Sequence, residues 1–253
     1  MSAARKVALV TGGSRGIGRA ISLRLAESGE IHHLVVAYSM NHEAARATVA
    51  DLDALGVGAT AVPTDVSKPE LMEPIFDSIA ERFGRLDIFV SNAARATFKP
   101  VTELSPRAWQ RVLDLNATAF LIGAQLAAKL MRQGGRGWIV GLSSLGAGFY
   151  LPGYAALGAA KAAIESLCRY LAVELAPWNI NVNVVSGGFI DTESMRLNPH
   201  YEELKAYVAA RTPAGRVGTP RDLAGIVAFL CSEEARWIQG QTLLADGGMS
   251  LGL

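Results

Sequence analysis

Cysteine is nearly absent: Cys168 and Cys231 are the only 2 in 253 residues. They stand too far apart for a metal-ligand spacing and are too few for a disulfide framework, which fits a reducing cytosol and a cytoplasmic protein. Charge of one sign is lacking too, with 24 lysines and arginines against 23 aspartates and glutamates. No polyanion-binding face is indicated, so nucleic acid and anionic lipid are not expected partners. No apolar run approaches the roughly 18 residues a membrane span requires. In "MSAARKVALVTGG" the two early cations precede a short apolar run, far from a signal-peptide core. Histidine is scarce as well: His32 and His33 are adjacent at the start of a strand and point to opposite faces, while His42 and His200 are isolated, so no metal site is expected. Fixed-period repeats, low-complexity tracts and Pro/Gly/Ser linkers are missing, which leaves residues 1–253 as one domain.

What is present is apolar bulk, 50% of the residues, enough for a sizeable core. It is arranged as short β-branched runs alternating with longer helical patterns. "KVALVTG", "HLVVAYS", "ATAVPTD", "LDIFVSN", "RGWIVGLSS", "NINVNVVSGG" and "QTLLADGG" read as strands, separated by segments such as "HEAARATVADLDALG" and "PELMEPIFDSIAERFG". Strands apolar on both faces that alternate with helices predict a parallel sheet covered on both sides. The expectation is an α/β fold, one doubly wound domain with a seven-stranded parallel sheet. A single long interruption, 186–219, follows the sixth strand, where open parallel sheets hold their ligands, and it reads as a substrate-covering lid.

"VTGGSRGIGRA" follows the first strand and opens the first helix, with Gly12, Gly16 and Gly18 in a GxxxGxG spacing. Missing side chains let the backbone turn tightly and approach a pyrophosphate, which the free N–H groups and the helix dipole favour. The stretch therefore reads as a dinucleotide site. Enzymes that use NAD usually carry a carboxylate at the end of the second strand for the ribose hydroxyls, and Ala37, Tyr38 and Ser39 offer none. Arg15 adds a cation where a 2′-phosphate would sit, so NADPH is the expected cofactor.

With "TGGSRGIG" come "TDV" containing Asp65, "SNAA" containing Asn92, "LDLN" containing Asn116, then Ser144, Lys161, "SGGFIDT" and a terminal "DGG". In this combination the chain resembles the short-chain dehydrogenase/reductases over nearly its whole length, from Lys6 to Gly248. The resemblance implies a Rossmann-type fold with a nicotinamide cofactor over the sheet. It implies that Gly12, Ser14, Arg15, Gly16, Ile17 and Gly18 hold that cofactor in the turn, with Asp65 and Val66 after the third strand, Asn92 after the fourth, Lys161 on the ribose, and Gly188, Ile190 and Thr192 after the sixth. Asn116 would support a water chain. It also implies a homotetramer assembled through the long fourth and fifth helices and the C-terminal strand. Three positions depart from the family pattern: Ala94 stands for a glycine, Gly187 for a proline, and Leu157 for the tyrosine four residues before the lysine.

Within that family, "YAALGAAK" resembles the enoyl-acyl carrier protein reductases, whose tyrosine lies seven residues before the lysine. "SSLGAGFYLPGY", "RYLAVELAP" and "TPAGR" are similar to the NADPH-dependent branch of those enzymes. Seven residues are almost two helical turns, so Tyr154, Leu157 and Lys161 are expected on one helix face. A displaced acid makes chemical sense. In ketone reduction the acid stands beside the carbonyl whose carbon takes the hydride, whereas in enoyl thioester reduction the hydride goes to the β-carbon and charge appears on the thioester oxygen. Moving the tyrosine by three helical residues shifts its anchor by about 4.5 Å, the right order for that difference. The expected catalytic set is Tyr154, Lys161, Ser144 and Asn116, acting on an enoyl thioester carried by acyl carrier protein or coenzyme A. Ser144 reads equally as a neighbour of the substrate carbonyl or a strand-end cap, and Asn116 as a helix bend or a water site. A carbonyl reductase of the same family and an inactive cofactor-binding regulator are the alternatives. Met195, Leu197, Tyr201 and Phe149 read as an apolar substrate lining, or equally as core or interface.

Overall fold

The computed structural model describes residues 6–196 and 200–252. Seven strands form one sheet: β1 (Lys6–Thr11), β2 (Ile31–Tyr38), β3 (Gly58–Pro63), β4 (Ile88–Ser91), β5 (Gly137–Ser144), β6 (Ile180–Gly187) and β7 (Thr242–Ala245). Their order across the sheet is β3-β2-β1-β4-β5-β6-β7, and every neighbouring pair is parallel. The inner strands β1, β4 and β6 are buried at every position, as strands covered on both faces are, the asparagines Asn181 and Asn183 of β6 included. The two outer strands differ from the two-sided burial read from the sequence. β3 and β7 are partly exposed along their lengths, because each has a neighbour on one side only.

Helices α1 (Gly16–Ala26), α2 (His42–Ala54) and α9 (Pro220–Leu230) belong with one face; α3 (Pro69–Phe83), α5 (Ala119–Gly134) and α6 (Ala155–Leu175) cover the other. Two cores result. Ile21, Leu34, Val90, Trp138 and Leu223 pack on the α1/α9 side, and Phe89, Phe120, Met131, Ile139 and Val182 on the α3/α5/α6 side. Withdrawing each of these side chains from water contributes about 1.5–3 kcal/mol before the entropy of ordering is set against it. His32 and His33 sit on opposite faces of β2: the first is exposed, and the second is buried with its Nε2 2.9 Å from Thr60 Oγ1.

Chain order and sheet order part company between β1 and β4. From β1 the chain winds outward to β3, then returns to lay β4 on the other side of β1. The carboxyl ends of two adjacent strands thus lead into helices running to opposite faces, and the crevice between them is where doubly wound sheets take ligands.

Between β4 and β5 the helical stretch 106–134 is not one helix. α4 (Pro106–Leu113), capped by Ser105 accepting from the Ala108 N–H, gives way to a π turn at Asp114–Thr118 before α5 begins. The reason lies at Asn116, whose Nδ2 donates to Val112 O at 2.8 Å and to Arg95 O at 3.0 Å. A side chain that takes the carbonyl one turn back competes with the helical ladder and loosens it.

Among its described residues the 186–219 interruption contains two helices, α7 (Glu193–Arg196) and α8 (Tyr201–Arg211). Its ends are tied by a parallel bridge between Ile190 and Gly218. Asp191 receives both arms of Arg196, at 2.8 and 3.0 Å, and this contact with the nearby Tyr201 hydroxyl holds its carboxyl down at about 2. Tyr201 is buried, Phe149 is 41% exposed, and Leu197 lies outside the described residues.

Candidate active site

The glycine turn is held from below by β4. Thr11 Oγ1 accepts the N–H groups of Asn92 and Ala93, at 3.0 and 3.1 Å, while Asn92 Nδ2 donates to the carbonyls of Thr11 and Gly12. Gly12 has φ +64°, and a Cβ on Gly18 would overlap the Gly12 carbonyl, so neither position admits a side chain without moving the turn. Gly16 is different: its φ is +53°, and the nearest atom a Cβ would meet is 3.8 Å away on Thr192. The space in front of it is open. Arg15 occupies the cap of α1 in extended conformation with no side-chain bond to the first turn, which leaves the leading N–H groups unclaimed by any cap. Free amides, a helix dipole and open space together suit a diphosphate.

These residues line a groove of about 360 Å³ that runs from the turn past the end of β2 to β4. Ser14, Arg15, Ile17, Asp65, Val66 and Thr192 all border it, as the sequence reading expects. At the β2 end the lining is Ala37, Tyr38, Ser39, Met40 and Asn41, with no carboxylate. Arg15 is exposed there and makes no ion pair among the described residues. Asp65 stands further along and is occupied by Ser67, whose Oγ donates to it at 2.7 Å and holds its pKa down. The open turn and the length of the groove fit a nicotinamide dinucleotide. A second groove of about 430 Å³ lies between β3 and α3 and includes none of the glycine turn.

β5 and α6 supply the reactive groups. Tyr154 caps α6 instead of lying inside it, so the helix starts one residue later than the one-face picture assumes. Its hydroxyl donates to Ser144 Oγ at 3.0 Å, and burial raises its pKa above the ordinary tyrosine value, partly offset by that bond. Ser144 itself accepts from the Gly146 N–H at 3.4 Å, the strand-end cap that is one of its two sequence readings. Lys161 is 5% exposed, and its Nζ donates to the Leu142 carbonyl at 2.7 Å. Burial brings it down to about 8. One turn further along α6, Glu165 accepts from Ser143 Oγ at 2.6 Å and clamps the end of β5 to the helix. Asn116 is buried, and its Oδ1 has no hydrogen-bond partner among the described residues, an acceptor left over for a water or a ligand.

Leu157 is 6% exposed and packs with Val112, Ala156 and Ala160, flanked by Trp109 and Leu113. The position that lacks the usual tyrosine is therefore an apolar wall. Three residues assigned to the cofactor by resemblance, Lys161, Gly188 and Ile190, lie outside the lining of the groove. Gly188 packs against Asp246, where a Cβ would come within 2.8 Å, and Ile190 is buried in the α1/α9 core and borders a separate cavity beneath α8. The β6 end turns these two toward β7, and only Thr192 reaches back. Conversely, Phe98 was not anticipated: it is 64% exposed, with its ring centroid 5.8 Å from that of Tyr154. Its loop is drawn there by a bond from the Lys99 N–H to Gly153 O, a contact no local sequence signal announces.

Residues 12–250 match the family model described as enoyl-(acyl carrier protein) reductase. The chain is 47% identical over 249 residues to a 1-cyclohexenylcarbonyl-CoA reductase from Streptomyces collinus, covering 98% of this chain and 88% of that one. It is 37% identical to the hydroxynaphthalene reductase-like protein Arp2 of Metarhizium brunneum, over 98% of this chain and 96% of the other. Among solved structures, one described as an NAD(P)-dependent gluconate 5-dehydrogenase from Beutenbergia cavernae, with NADP bound at low occupancy, superposes with a TM-score of 0.90 at 30% identity, covering 97% of each chain. With a glycine turn at the β1/β4 crevice, a Tyr–Ser–Lys group on β5 and α6, and these matches over nearly all its length, the chain is an oxidoreductase of the short-chain dehydrogenase/reductase superfamily, close to its enoyl reductases.

Proposed function

We propose that the protein reduces the α,β double bond of an enoyl thioester with NADPH, the acyl chain being carried on coenzyme A or acyl carrier protein. The observation that carries this reading is the pairing of Tyr154 with Ser144 while an apolar wall, Leu157, stands where a carbonyl-reducing acid belongs. The 47% identity to a relative described as a reductase of an enoyl-type CoA thioester supports it. Bound nicotinamide would supply the hydride. The chain's own part is electrostatic: Tyr154 donates to the oxygen on which negative charge develops, and Ser144 keeps the phenol oriented. Lys161 contributes positive charge from beneath, and Leu157 keeps water and acid away from the alkene. The 186–219 segment, which contributes Thr192 to the groove, would close over the acyl chain.

The test is initial-rate turnover of crotonyl-CoA and acetoacetyl-CoA, followed by NADPH absorbance and repeated with NADH. Efficient crotonyl reduction with little acetoacetyl reduction is expected; the reverse pattern would overturn the reading. NADPH is expected to outperform NADH, and Arg15→Ala to lower kcat/KM for NADPH selectively by about tenfold, the loss of a charge-assisted contact. An equal loss with both cofactors would mean that Arg15 does not read the 2′-phosphate.

The proposed assembly is a homotetramer. Tyr170 and Val173 on α6 are 66% and 75% exposed, and Leu244 on the edge strand β7 is 46% exposed, apolar surface that a partner copy would cover. Sedimentation equilibrium should return four chain masses; a monomer at micromolar concentration would contradict it.

A further inference from the structure

Around Lys161 the sequence of α6 is AALGAAKAA, alanine interrupted by one glycine, Gly158. Glycine is a poor helix former, and Gly158 has no left-handed φ that would call for it. It does have a neighbour. A Cβ at Gly158 would lie 2.5 Å from the carbonyl oxygen of Gly146. Gly146, whose φ is also ordinary, faces the phenol ring: a Cβ there would come within 2.5 and 2.6 Å of two ring carbons of Tyr154 and 3.1 Å of the Leu151 side chain. The contact is closed by the Gly158 N–H, which donates to Tyr154 O at 2.8 Å. Gly146 thus lies against the ring, Gly158 against Gly146, and Tyr154 is hydrogen-bonded to Gly158, with the phenol reaching Ser144 at 3.0 Å. Phe98, its centroid 5.8 Å from that of Tyr154, packs on the same ring.

We propose that Gly146 and Gly158 are positioning residues for Tyr154: their missing side chains let the start of α6 sit so close to the turn after β5 that the phenol is held on Ser144. The inference rests on the reading of Tyr154 as the proton donor. A methyl group on either glycine forces the turn and the helix cap apart, and the displacement falls on the one side chain both of them support. Packing of this density transmits such a shift instead of absorbing it.

The experiment compares Gly146→Ala and Gly158→Ala with Gly123→Ala, a control in which a Cβ would overlap the Phe89 ring in the core away from Tyr154. Three quantities are read: thermal stability, kcat on crotonyl-CoA at saturating NADPH, and titration of Tyr154 by NMR of the protein labelled at tyrosine Cζ, its signal assigned with Tyr154→Phe. All three variants are expected to lose some stability. Only the Gly146 and Gly158 variants should lose kcat, by about 100-fold, the scale of an ångström-sized misplacement of a catalytic group. In them the Tyr154 titration should move down toward the ordinary tyrosine value as the ring leaves its buried seat. Gly146→Ala added to Tyr154→Phe should cost no more kcat than Tyr154→Phe alone. An unmoved Tyr154 titration in both glycine variants overturns the proposal, as does wild-type kcat in both. If the titration moves but Tyr154→Phe retains full activity, the proton-donor reading falls while the positioning contact stands.

Discussion

Tyr154→Phe is expected to leave NADPH binding nearly intact and to lower kcat on an enoyl thioester by about 100-fold, the usual cost of removing one donor from a developing oxyanion. The substitution deletes a single oxygen. That oxygen makes one bond, to Ser144 Oγ, and the ring's seat against Gly146 and beside Phe98 is unchanged by its loss. With the ring and its packing retained, only the hydroxyl's bond is lost, so the effect belongs in kcat. Cofactor affinity by fluorescence titration and kcat by NADPH consumption separate the two. Full activity in Tyr154→Phe would remove Tyr154 from the chemistry.

Lys161→Ala is expected to be more damaging, lowering kcat/KM by about 1000-fold through weaker NADPH binding and slower turnover together. Lys161 is wholly enclosed, and burial, with no carboxylate offsetting it, brings its pKa from 10.5 to about 8. Its charge is therefore lost within an accessible range. In the wild type, kcat/KM should fall as pH rises through about 8. Stability of the unliganded protein should move the other way. A lysine whose folded pKa lies below its unfolded one penalises folding fully when both states are protonated, below about 8, and the penalty is relieved as pH climbs toward 10.5. Lys161→Met should abolish that alkaline rise in thermal stability. A flat pH–rate profile above 8 in the wild type would show that the ammonium charge is not used.

The sheet was legible because its signals are local. "VALV" and "LVV" are apolar on successive residues, which central parallel strands demand, and the glycine turn carries its own backbone requirements in sequence. Edge exposure of β3 and β7 was not legible, since it depends on which strand lies outermost. Asn116 stood out as a residue ill-suited to a helix, yet the π turn it makes depends on the Arg95 carbonyl arriving from a loop more than twenty residues away in sequence. Gly188 and Ile190 came from resemblance alone; the chain after β6 carries them toward Asp246 and Gly218 before returning to the groove at Thr192. Gly146 and Gly158 passed unnoticed for a simpler reason: their significance is a contact between two elements, and neither has the positive φ that marks a glycine as obligatory.

The apolar setting of Leu157 bears on how such a chain could change its trade over evolutionary time. A phenol at that position cannot simply be written in, because Val112, Ala156 and Ala160 already close around the leucine and Trp109 and Leu113 stand behind them. Enlarging a filled core site costs about 1–3 kcal/mol. Ancestry from an enzyme with tyrosine at 157, or descent toward one, therefore requires trimming of α4 in company with the swap on α6. An intermediate carrying one change without the other holds either a void or a clash. An engineer wishing to place a phenol at 157 should begin at Val112 or Trp109.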